Sequence, residues 1–425
     1  MKINYAIGAF LCMLGCYACS SPKTEVKSPD GHIKMALTVD DNGKPLYNVL
    51  VGDSLLIENS TLGFTEKNGI DLGGGFQIKN TTFDSKDETW TQPWGENKTN
   101  RNHYNEMAVN LVNKDQVELT LRFRVFDDGV GFRYEYNVPA ADSLLITDEL
   151  TTFRFRQDGT SWSIPASAET YELLYAQRPI SEVETANTPF TFKTADGVYG
   201  SIHEAALYDF SEMTLKQAGN YTLKAELAPW PDGVKVRKGN HFTTSWRTIQ
   251  IVPDAVSLIN SAMILNLNEP SKIETTDWIR PMKYVGVWWG MHLGVETWKM
   301  DERHGATTVN AKKYIDFAAA NQIEGVLFEG WNEGKAGVVC KTLTLRNRML
   351  TLTLMKWFVM QRKKELKLSA ITRPEGIFPT MSARWIMLCN GTQTTVSMSL
   401  RQDMRELSRM VIFITANMGS TTIRK

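Results

Sequence analysis

The stretch VELTLRFRVFDDGVGFRYEYNV, residues 117–138, decides the fold of most of this chain. Apolar and polar side chains alternate along it on both sides of Asp127, Asp128 and Gly129. Strict alternation is the pattern of a strand that buries only one face, and Asp-Gly is a frequent hairpin turn. The stretch therefore predicts an antiparallel hairpin with one face in a core and the other face in water.

Similar alternating runs recur from about residue 30 to residue 275. HIKMALTVDDNGKPLYNVLV, residues 32–51, repeats the pattern with Asn42 and Gly43 at its turn. No long helical pattern intervenes, so we expect a large β-sandwich over residues 30–275. All-β domains of this size often bind sugars or other partners, although the architecture alone establishes neither.

The pattern changes near residue 280. KYVGVWW, from Lys283 to Trp289, and GVLFEGW, residues 325–331, read as buried strands. Between them NAKKYIDFAAANQ, which begins at Asn310, carries apolar residues at helical spacing, Phe317 among them. This order indicates a β/α unit with parallel strands. Two such strands leave both edges open, so more units are expected, yet the rest of the translated sequence shows none.

The first residues, MKINYAIGAFLCMLGCYACSSPK, predict a secretory signal over residues 1–19. The apolar run is shorter than a membrane crossing requires. The pattern is similar to a bacterial lipoprotein signal with Cys19 as the lipidated residue; Cys16 and a plain cleaved signal are the alternatives. From Ser20 to Gly334 there is no Cys, so an exported fold must rest on its core rather than on disulfides.

The zero net charge of the chain averages two unlike parts. Residues 335–425 hold 16 Lys and Arg against 4 Asp and Glu, whereas residues 1–334 hold 31 against 43. A basic segment of this kind would by itself suggest an arm that binds nucleic acid or a membrane. The change of composition falls immediately after FEGWNEG, an acidic and aromatic stretch that ends at Gly334.

Several stretches before that point resemble glycoside hydrolase family 97: WSIPASAETYELLY, SIHEAALYDF, NLNEP, KYVGVWWGMHLG and RHGATTVNAKKYIDFAAANQIEGVLFEGWNEG. The resemblance implies a multidomain β and α/β fold, with a large N-terminal β-sandwich, a (β/α)8 TIM barrel and a small C-terminal β-domain. It implies Ca²⁺-dependent cleavage of α-glucosidic or α-galactosidic bonds in oligosaccharides. It also implies export by a Gram-negative bacterium, to the periplasm or as an outer-membrane lipoprotein.

Residues 335–425 depart from the family, and a change of reading frame close to Gly334 would explain why. Synonymous codons for TRPEGIFPTMSARWIM, residues 372–387, can be chosen so that the −1 frame reads ETGGNIPNYERAMDY, which is similar to a catalytic strand of the family. The same shift over residues 336–371 permits an acidic loop, an amphipathic helix and a buried strand. We interpret residues 335–425 as a frameshifted, non-native tail; a genuine basic domain is the alternative for this range. Residues 280–334 are then the first β/α units of a truncated barrel.

Candidate site residues follow from this resemblance. Glycoside hydrolysis needs two carboxyl groups, which in a barrel lie at the carboxyl ends of strands. Glu329 stands at such an end and is expected to contact the cleaved sugar, unless it only orders its own loop. Trp331 could stack on a sugar or cap the barrel core. Glu172, in AETYELLY, is the implied Ca²⁺ ligand, with an ordinary surface carboxylate as the alternative. The catalytic acid and base belong to strands beyond Gly334 and are unassigned.

The sequence thus favours an α-glycosidase of oligosaccharides without a nucleic-acid partner. The translated chain is expected to be inactive because its catalytic strands are out of frame. A carbohydrate-binding β-sandwich, or a product without function, is the competing hypothesis. The shifted frame also permits VKTGYAG, with Gly where retaining members place a nucleophilic Asp, which favours inversion. His292 and His304 flank the first barrel loop, where a structural role is favoured over a place in the site.

Overall fold

The computed structural model describes residues 24–327, apart from 168, 169, 278, 280, 298 and 300, together with the backbone of three short strands in the tail. The chain divides into two compact units, one up to Ser271 and one from Lys272 onward. Within the described part of the chain, no helix combines the length and the apolar character that a membrane crossing requires.

The first unit is built almost entirely of antiparallel strands. The first thirteen are β1 Glu25–Lys27, β2 Ile33–Val39, β3 Pro45–Val51, β4 Ser54–Thr61, β5 Phe64–Glu66, β6 Asp71–Leu72, β7 Gln77–Thr91, β8 Thr99–Val112, β9 Glu118–Phe126, β10 Gly129–Asn137, β11 Ser143–Glu149, β12 Thr152–Arg154 and β13 Gly159–Ser163. The remaining elements are β14 Ala176–Pro179, a 3-10 turn at Ile180–Glu182, β15 Thr185–Asn187, β16 Phe190–Thr194, β17 Tyr199–Ala205, β18 Met213–Gln217, β19 Thr222–Leu227, β20 Val236–Gly239, β21 His241–Thr243, β22 Trp246–Val252, and the helices α1 Ala255–Asn260 and α2 Met263–Asn266.

These strands form one large sheet and three smaller sheets. The large sheet runs β14-β13-β16-β17-β22-β10-β9-β8-β7, and β21 also pairs with β10. The smaller sheets run β1-β2-β3-β4, β20-β11-β5-β6 and β12-β19-β18-β15. The hairpin predicted at residues 117–138 is confirmed as β9 and β10, with Gly129 opposite Phe126. The predicted hairpin at Asn42 and Gly43 is confirmed as β2 and β3.

A large hydrophobic core lies under the alternating faces of these strands, and a smaller buried cluster includes Tyr104, Phe126 and Trp246. Phe132, Tyr134 and Tyr136 alternate along β10 and are fully buried. Ring centroids of Tyr134 and Tyr136 lie 6.3 Å apart in a stacked arrangement, and Tyr47 meets Phe132 at 5.0 Å. Rings of this size dominate the burial of apolar surface in a core. The period-2 pattern in the sequence therefore located the core correctly.

The opposite face of β9 and β10 is less exposed to solvent than the sequence predicts. Arg122 pairs with Glu106 at 2.5 Å and with Glu135 at 2.7 Å, and Arg124 pairs with Glu106 at 2.8 Å. The side chain of Glu106 is only 10% exposed. Alternation marks which residues are polar, but it cannot show that their charges neutralise one another across neighbouring strands.

The second unit begins with parallel strands. Its elements are β23 Tyr284–Gly286, α3 Trp288–His292, α4 Thr308–Ala320, β24 Gly325–Leu327, β25 Lys367–Leu368, β26 Ala383–Cys389 and β27 Thr392–Met398. β23 pairs in parallel with β24, as the sequence predicts, and β24 pairs in parallel with β25. β26 and β27 form an antiparallel hairpin. A large β-sandwich followed by the beginning of an α/β barrel is thus the fold of this chain.

Three predictions for this unit are wrong in detail. The strand predicted from Lys283 to Trp289 stops at Gly286, and its first residue, Tyr284, is 62% exposed. Trp288 and Trp289 belong to helix α3, so their side chains do not alternate between the two faces of a sheet. Phe317, predicted on the apolar face of α4, is 53% exposed because Ala311, Ile315 and Ala318 form the buried side of that helix.

The number of parallel strands also differs from the expectation of two. β25, in the predicted non-native tail, adds a third. An open strand edge presents unpaired N–H and C=O groups, and a third strand satisfies those of β24. The sheet is therefore one strand wider than the sequence pattern indicates.

Candidate functional site

Strands β23 and β24 end side by side, so the segments that follow them begin at one edge of the sheet. Tyr284 lies opposite Gly325 in this parallel pair. In α/β barrels the catalytic groups come from the segments that follow the carboxyl ends of the strands. Glu329 and Trp331 follow β24 along the chain. Both lie outside the described residues, so their roles remain predictions.

Helix α3 follows β23 directly and carries an aromatic cluster that the sequence analysis did not single out. The indole of Trp288 stacks on the imidazole of His292, with ring centroids 4.5 Å apart. Trp289 meets both rings edge to face, at 5.2 and 5.5 Å. Trp289 is 62% exposed and offers an apolar surface just after a barrel strand. The i, i+4 spacing of Trp288 and His292 was the signal for a helix rather than a strand.

A partly buried carboxylate, Glu296, holds the loop after α3. The side-chain N–H of Asn310, in α4, donates to Oε1 of Glu296 at 2.6 Å. Oε2 faces Gly290 and Gly305, where an added Cβ would lie 2.6 and 2.8 Å from it, and it has no hydrogen-bond partner among the described residues. Burial raises the pKa of Glu296, and the charge of Lys313 offsets part of that rise. Sequence reasoning missed this residue; the two glycines that make room for it were the available signal.

The two histidines of the first barrel loop occupy different environments. His304 is 3% exposed, and its Nδ1 lies 2.9 Å from the backbone oxygen of Lys299. Its Nε2 is buried without a partner within the described ranges. His292 is exposed and stacked on Trp288. The burial of His304 fits the structural role predicted for it, whereas His292 belongs to the exposed aromatic cluster.

Glu172 lies on an exposed loop of the first unit. Its backbone N–H donates to Oγ1 of Thr170 at 3.0 Å, and its side chain is open to solvent. Among the residues that the structure describes, no three His, Cys, Asp or Glu side chains converge to hold a metal ion. Calcium takes about six to eight oxygen ligands. The described residues therefore do not form a calcium site, and Glu172 supplies at most one ligand of such a site.

A buried electrostatic cluster of the first unit was not predicted from the sequence. Arg247 donates to both carboxylate oxygens of Glu149, at 2.9 and 2.5 Å, and to Glu204 at 2.6 Å. Arg247 is 1% exposed, Glu149 is fully buried and Glu204 is 8% exposed. Burial raises the pKa of Glu204, and the charge of Arg247 opposes that rise. The three residues are far apart in sequence, so no local pattern announces the cluster.

Comparison with known proteins identifies both units. The family description Glycosyl-hydrolase 97 N-terminal matches residues 26–270, and Glycoside hydrolase 97 matches residues 288–355. A glycoside hydrolase family 97 enzyme from Pseudoalteromonas sp., solved in complex with acarbose, is 40% identical; the match has a TM-score of 0.75 and covers 80% of this chain and 53% of that one. A β-arabinopyranosidase of known structure shares the fold at 21% identity and a TM-score of 0.64.

A retaining α-galactosidase from Bacteroides thetaiotaomicron is 25% identical, and the match covers 78% of this chain and 53% of the relative. The chain thus spans about half the length of these two family relatives. The sandwich match by itself extends over residues 26–270, more than half of the chain. With its β-sandwich followed by the first parallel strands of a barrel, the chain belongs to glycoside hydrolase family 97.

Proposed function

We propose that this gene encodes an α-glycosidase that hydrolyses α-glucosidic or α-galactosidic bonds of oligosaccharides. The observation that carries the proposal is the parallel β23-α4-β24 unit, found in a chain of this family. Strand β23 of this unit leads into the cluster of Trp288, Trp289 and His292. The Pseudoalteromonas relative has been solved with panose and with acarbose, and the Bacteroides relative is a retaining α-galactosidase. These relatives support an oligosaccharide substrate.

The chemistry proposed for the site uses two carboxyl groups. One protonates the departing glycosidic oxygen, and the other acts as a base toward water or as a nucleophile. We assign neither role to a residue of this chain. Glu329 is proposed to hold the sugar at the cleaved bond, and Trp331 to stack on a sugar face. The glycine that the shifted frame permits in VKTGYAG favours inversion, and hence an α-glucosidase.

Calcium is part of this proposal, with Glu172 as one ligand. An exposed loop carboxylate is free to reach an ion, and this is the support that the described geometry gives. A Glu172→Gln variant is expected to leave the thermal unfolding of the chain unchanged without Ca²⁺ and to abolish any upward shift of the midpoint on adding Ca²⁺. An equal Ca²⁺ shift in the variant and the parent would contradict the role of Glu172.

The reading-frame hypothesis makes a sharp prediction about activity. We propose that residues 335–425 are translated out of frame and that the 425-residue chain hydrolyses neither a chromogenic α-glucoside nor an α-galactoside. Inserting one nucleotide near codon 334 moves translation into the −1 frame and is expected to yield chelator-sensitive hydrolysis. If the 425-residue chain itself shows chelator-sensitive hydrolysis, the hypothesis that it is inactive is wrong. If the −1 frame of the gene does not continue past the present stop codon, the hypothesis of a changed reading frame is wrong.

A carbohydrate-binding β-sandwich is the second candidate function. It is favoured by the first unit, whose described strands bury a large hydrophobic cluster that contains no residue of the barrel strands. Saturable binding of oligosaccharides by a chain that does not hydrolyse them in either frame would support this alternative.

Export is proposed from the signal pattern of residues 1–19, with Cys19 as the lipidated residue and the periplasm or outer membrane as the destination. The absence of cysteine between Ser20 and Gly334 is compatible with an oxidising compartment.

A further inference from the structure

A cleft of about 350 Å³ opens on the surface of the first unit. Its volume lies within the range of about 300–1,000 Å³ that is typical of small-molecule sites. The residues that line it through exposed or half-buried side chains are Glu58, Arg154, Arg156, Ser181, Asn220 and Tyr221.

Two irregularities of the backbone bring these side chains together. The pairing of β3 with β4 shifts register at a bulge around Glu58 and Asn59, and Asn59 has a φ of 42°. The turn between β18 and β19 places Asn220 at φ 46° and Tyr221 at φ 56°. A bulge re-aims a side chain, and a bulky residue in the left-handed region is an uncommon, strained choice where glycine is normal. Strain of this kind concentrates at ligand-binding and other functional positions.

The charges of the cleft favour an anion. Arg154 and Arg156 are two residues apart on an extended segment, so both guanidinium groups project from the same face, opposite the buried Phe155. Arg156 pairs with Glu58 at 3.3 Å. The guanidinium of Arg154 has no side-chain partner among the described residues. An arginine presents five donors in a planar fork that matches a carboxylate or a sulfate group.

The uncharged residues of the cleft suit a sugar ring. Tyr221 is 37% exposed and lines the same cleft as Arg154 and Arg156, so its ring is available to a ligand there. Its backbone oxygen accepts a hydrogen bond from the N–H of Phe155 at 3.0 Å, which fixes the turn against the arginine segment. Asn220 adds an amide that both donates and accepts hydrogen bonds, whereas the hydroxyl of Ser181 donates to Oδ2 of Asp158 at 2.5 Å and is left as an acceptor.

We propose that this cleft binds an acidic saccharide, with its carboxylate or sulfate on Arg154 and its ring against Tyr221. The site belongs to the sandwich, so it operates whether or not the chain is a hydrolase. Its ligand differs in charge from the neutral oligosaccharides that the proposed active site would cleave.

Titration calorimetry on the 425-residue chain tests this proposal with three probes: a galacturonic acid oligosaccharide, a sulfated galactan oligosaccharide and neutral maltohexaose. At least one acidic probe is expected to bind and to lose affinity in Arg154→Gln, whereas any binding of maltohexaose is expected to be the same in that variant and in the parent. The acidic probe that binds more tightly identifies the anionic group. No binding of either acidic probe, an equal loss of maltohexaose binding in Arg154→Gln, or full displacement by an equal concentration of inorganic sulfate would overturn an acidic saccharide as the ligand.

Variants separate the cleft from the rest of the surface. Arg154→Gln and Tyr221→Gly are each expected to weaken binding of the acidic probe at least tenfold. Glycine adopts the left-handed conformation without strain, so Tyr221→Gly should leave the unfolding midpoint unchanged or higher. Arg101→Gln is the matched control, because Arg101 is an exposed arginine that pairs with Asp87 outside the cleft. Unchanged binding by Arg154→Gln, or an equal loss in Arg101→Gln, would contradict the site.

Discussion

Replacing Arg247 by Met tests whether the buried charge cluster holds the sandwich together. Methionine has a similar length and packs well in apolar surroundings, but it cannot neutralise Glu149 and Glu204. Both carboxylates are almost completely buried, at 0% and 8% exposure, and Arg247 is the cation that contacts both of them. The variant therefore leaves two negative charges in the core without a counter-charge.

The expected magnitude follows from this geometry. Removing one partner of a buried ion pair costs about 3–5 kcal/mol, because the remaining charge is left desolvated. For a domain of this size, 1 kcal/mol shifts the unfolding midpoint by about 2–4 °C. Arg247→Met is thus expected to lower the midpoint of the sandwich by about 6–20 °C at pH 7.

The assay is thermal unfolding of the full chain, followed by near-ultraviolet circular dichroism at several pH values. Arg122→Met is the matched control, because Arg122 pairs with Glu106 and Glu135 but is 25% exposed, and water screens such pairs. Its midpoint should fall by less than half as much. A drop of less than about 3 °C for Arg247→Met, or one no larger than the control's, would refute the reasoning.

The pH dependence supplies a second check on the same variant. Burial already raises the pKa of Glu204, and Arg247 opposes that rise. Without the arginine, the folded-state pKa of this carboxyl rises further. A carboxyl of raised pKa contributes stability that is fully present below its unfolded pKa and is lost as the pH rises through its folded pKa. The deficit of Arg247→Met should therefore be largest near neutral pH and shrink on acidification; a deficit independent of pH would contradict an electrostatic cause.

Three further predictions address other parts of the chain. Because burial raises the pKa of Glu296, Glu296→Gln should resist unfolding better than the parent near neutral pH, and this advantage should vanish below the unfolded pKa. Amide hydrogen exchange of α4 measures it, and faster exchange in the variant at neutral pH would contradict it. Gly43→Ala should destabilise the sandwich by more than about 1 kcal/mol, since the new Cβ would lie 2.4 Å from the backbone N of Phe76. Gly31→Ala, with a similar φ but open space, is its control in urea unfolding and should cost less. Cys19→Ser should abolish incorporation of labelled palmitate during expression in a Gram-negative host, whereas retained label would exclude Cys19.

Much of the sandwich could be predicted from local sequence. Alternation in residues 117–138 located β9 and β10, their turn and their buried face, because side chains of a strand point to opposite sides with a period of two. The parallel relation of β23 and β24 was equally predictable, since a helix between two apolar runs returns the chain in the same direction.

The same pattern failed where a short apolar run admits more than one structure. Seven residues from Lys283 to Trp289 fit a buried strand by composition, yet the last of them begin a helix. The third parallel strand, Lys367–Leu368, is too short to carry any period. The aromatic cluster on α3 escaped notice because Trp288 and Trp289 were assigned to a strand, whereas they share a helix with His292.

The sequence by itself determined the class of fold, the family and the change of composition after Gly334, because each of these is recorded in neighbouring residues. Only the tertiary structure showed that Arg247 neutralises Glu149 and Glu204, and that Arg154 and Tyr221 line the same cleft. These residues are separated by tens of positions along the chain. Contacts of that kind depend on sheet order and backbone irregularity, which the alternation of side chains does not encode.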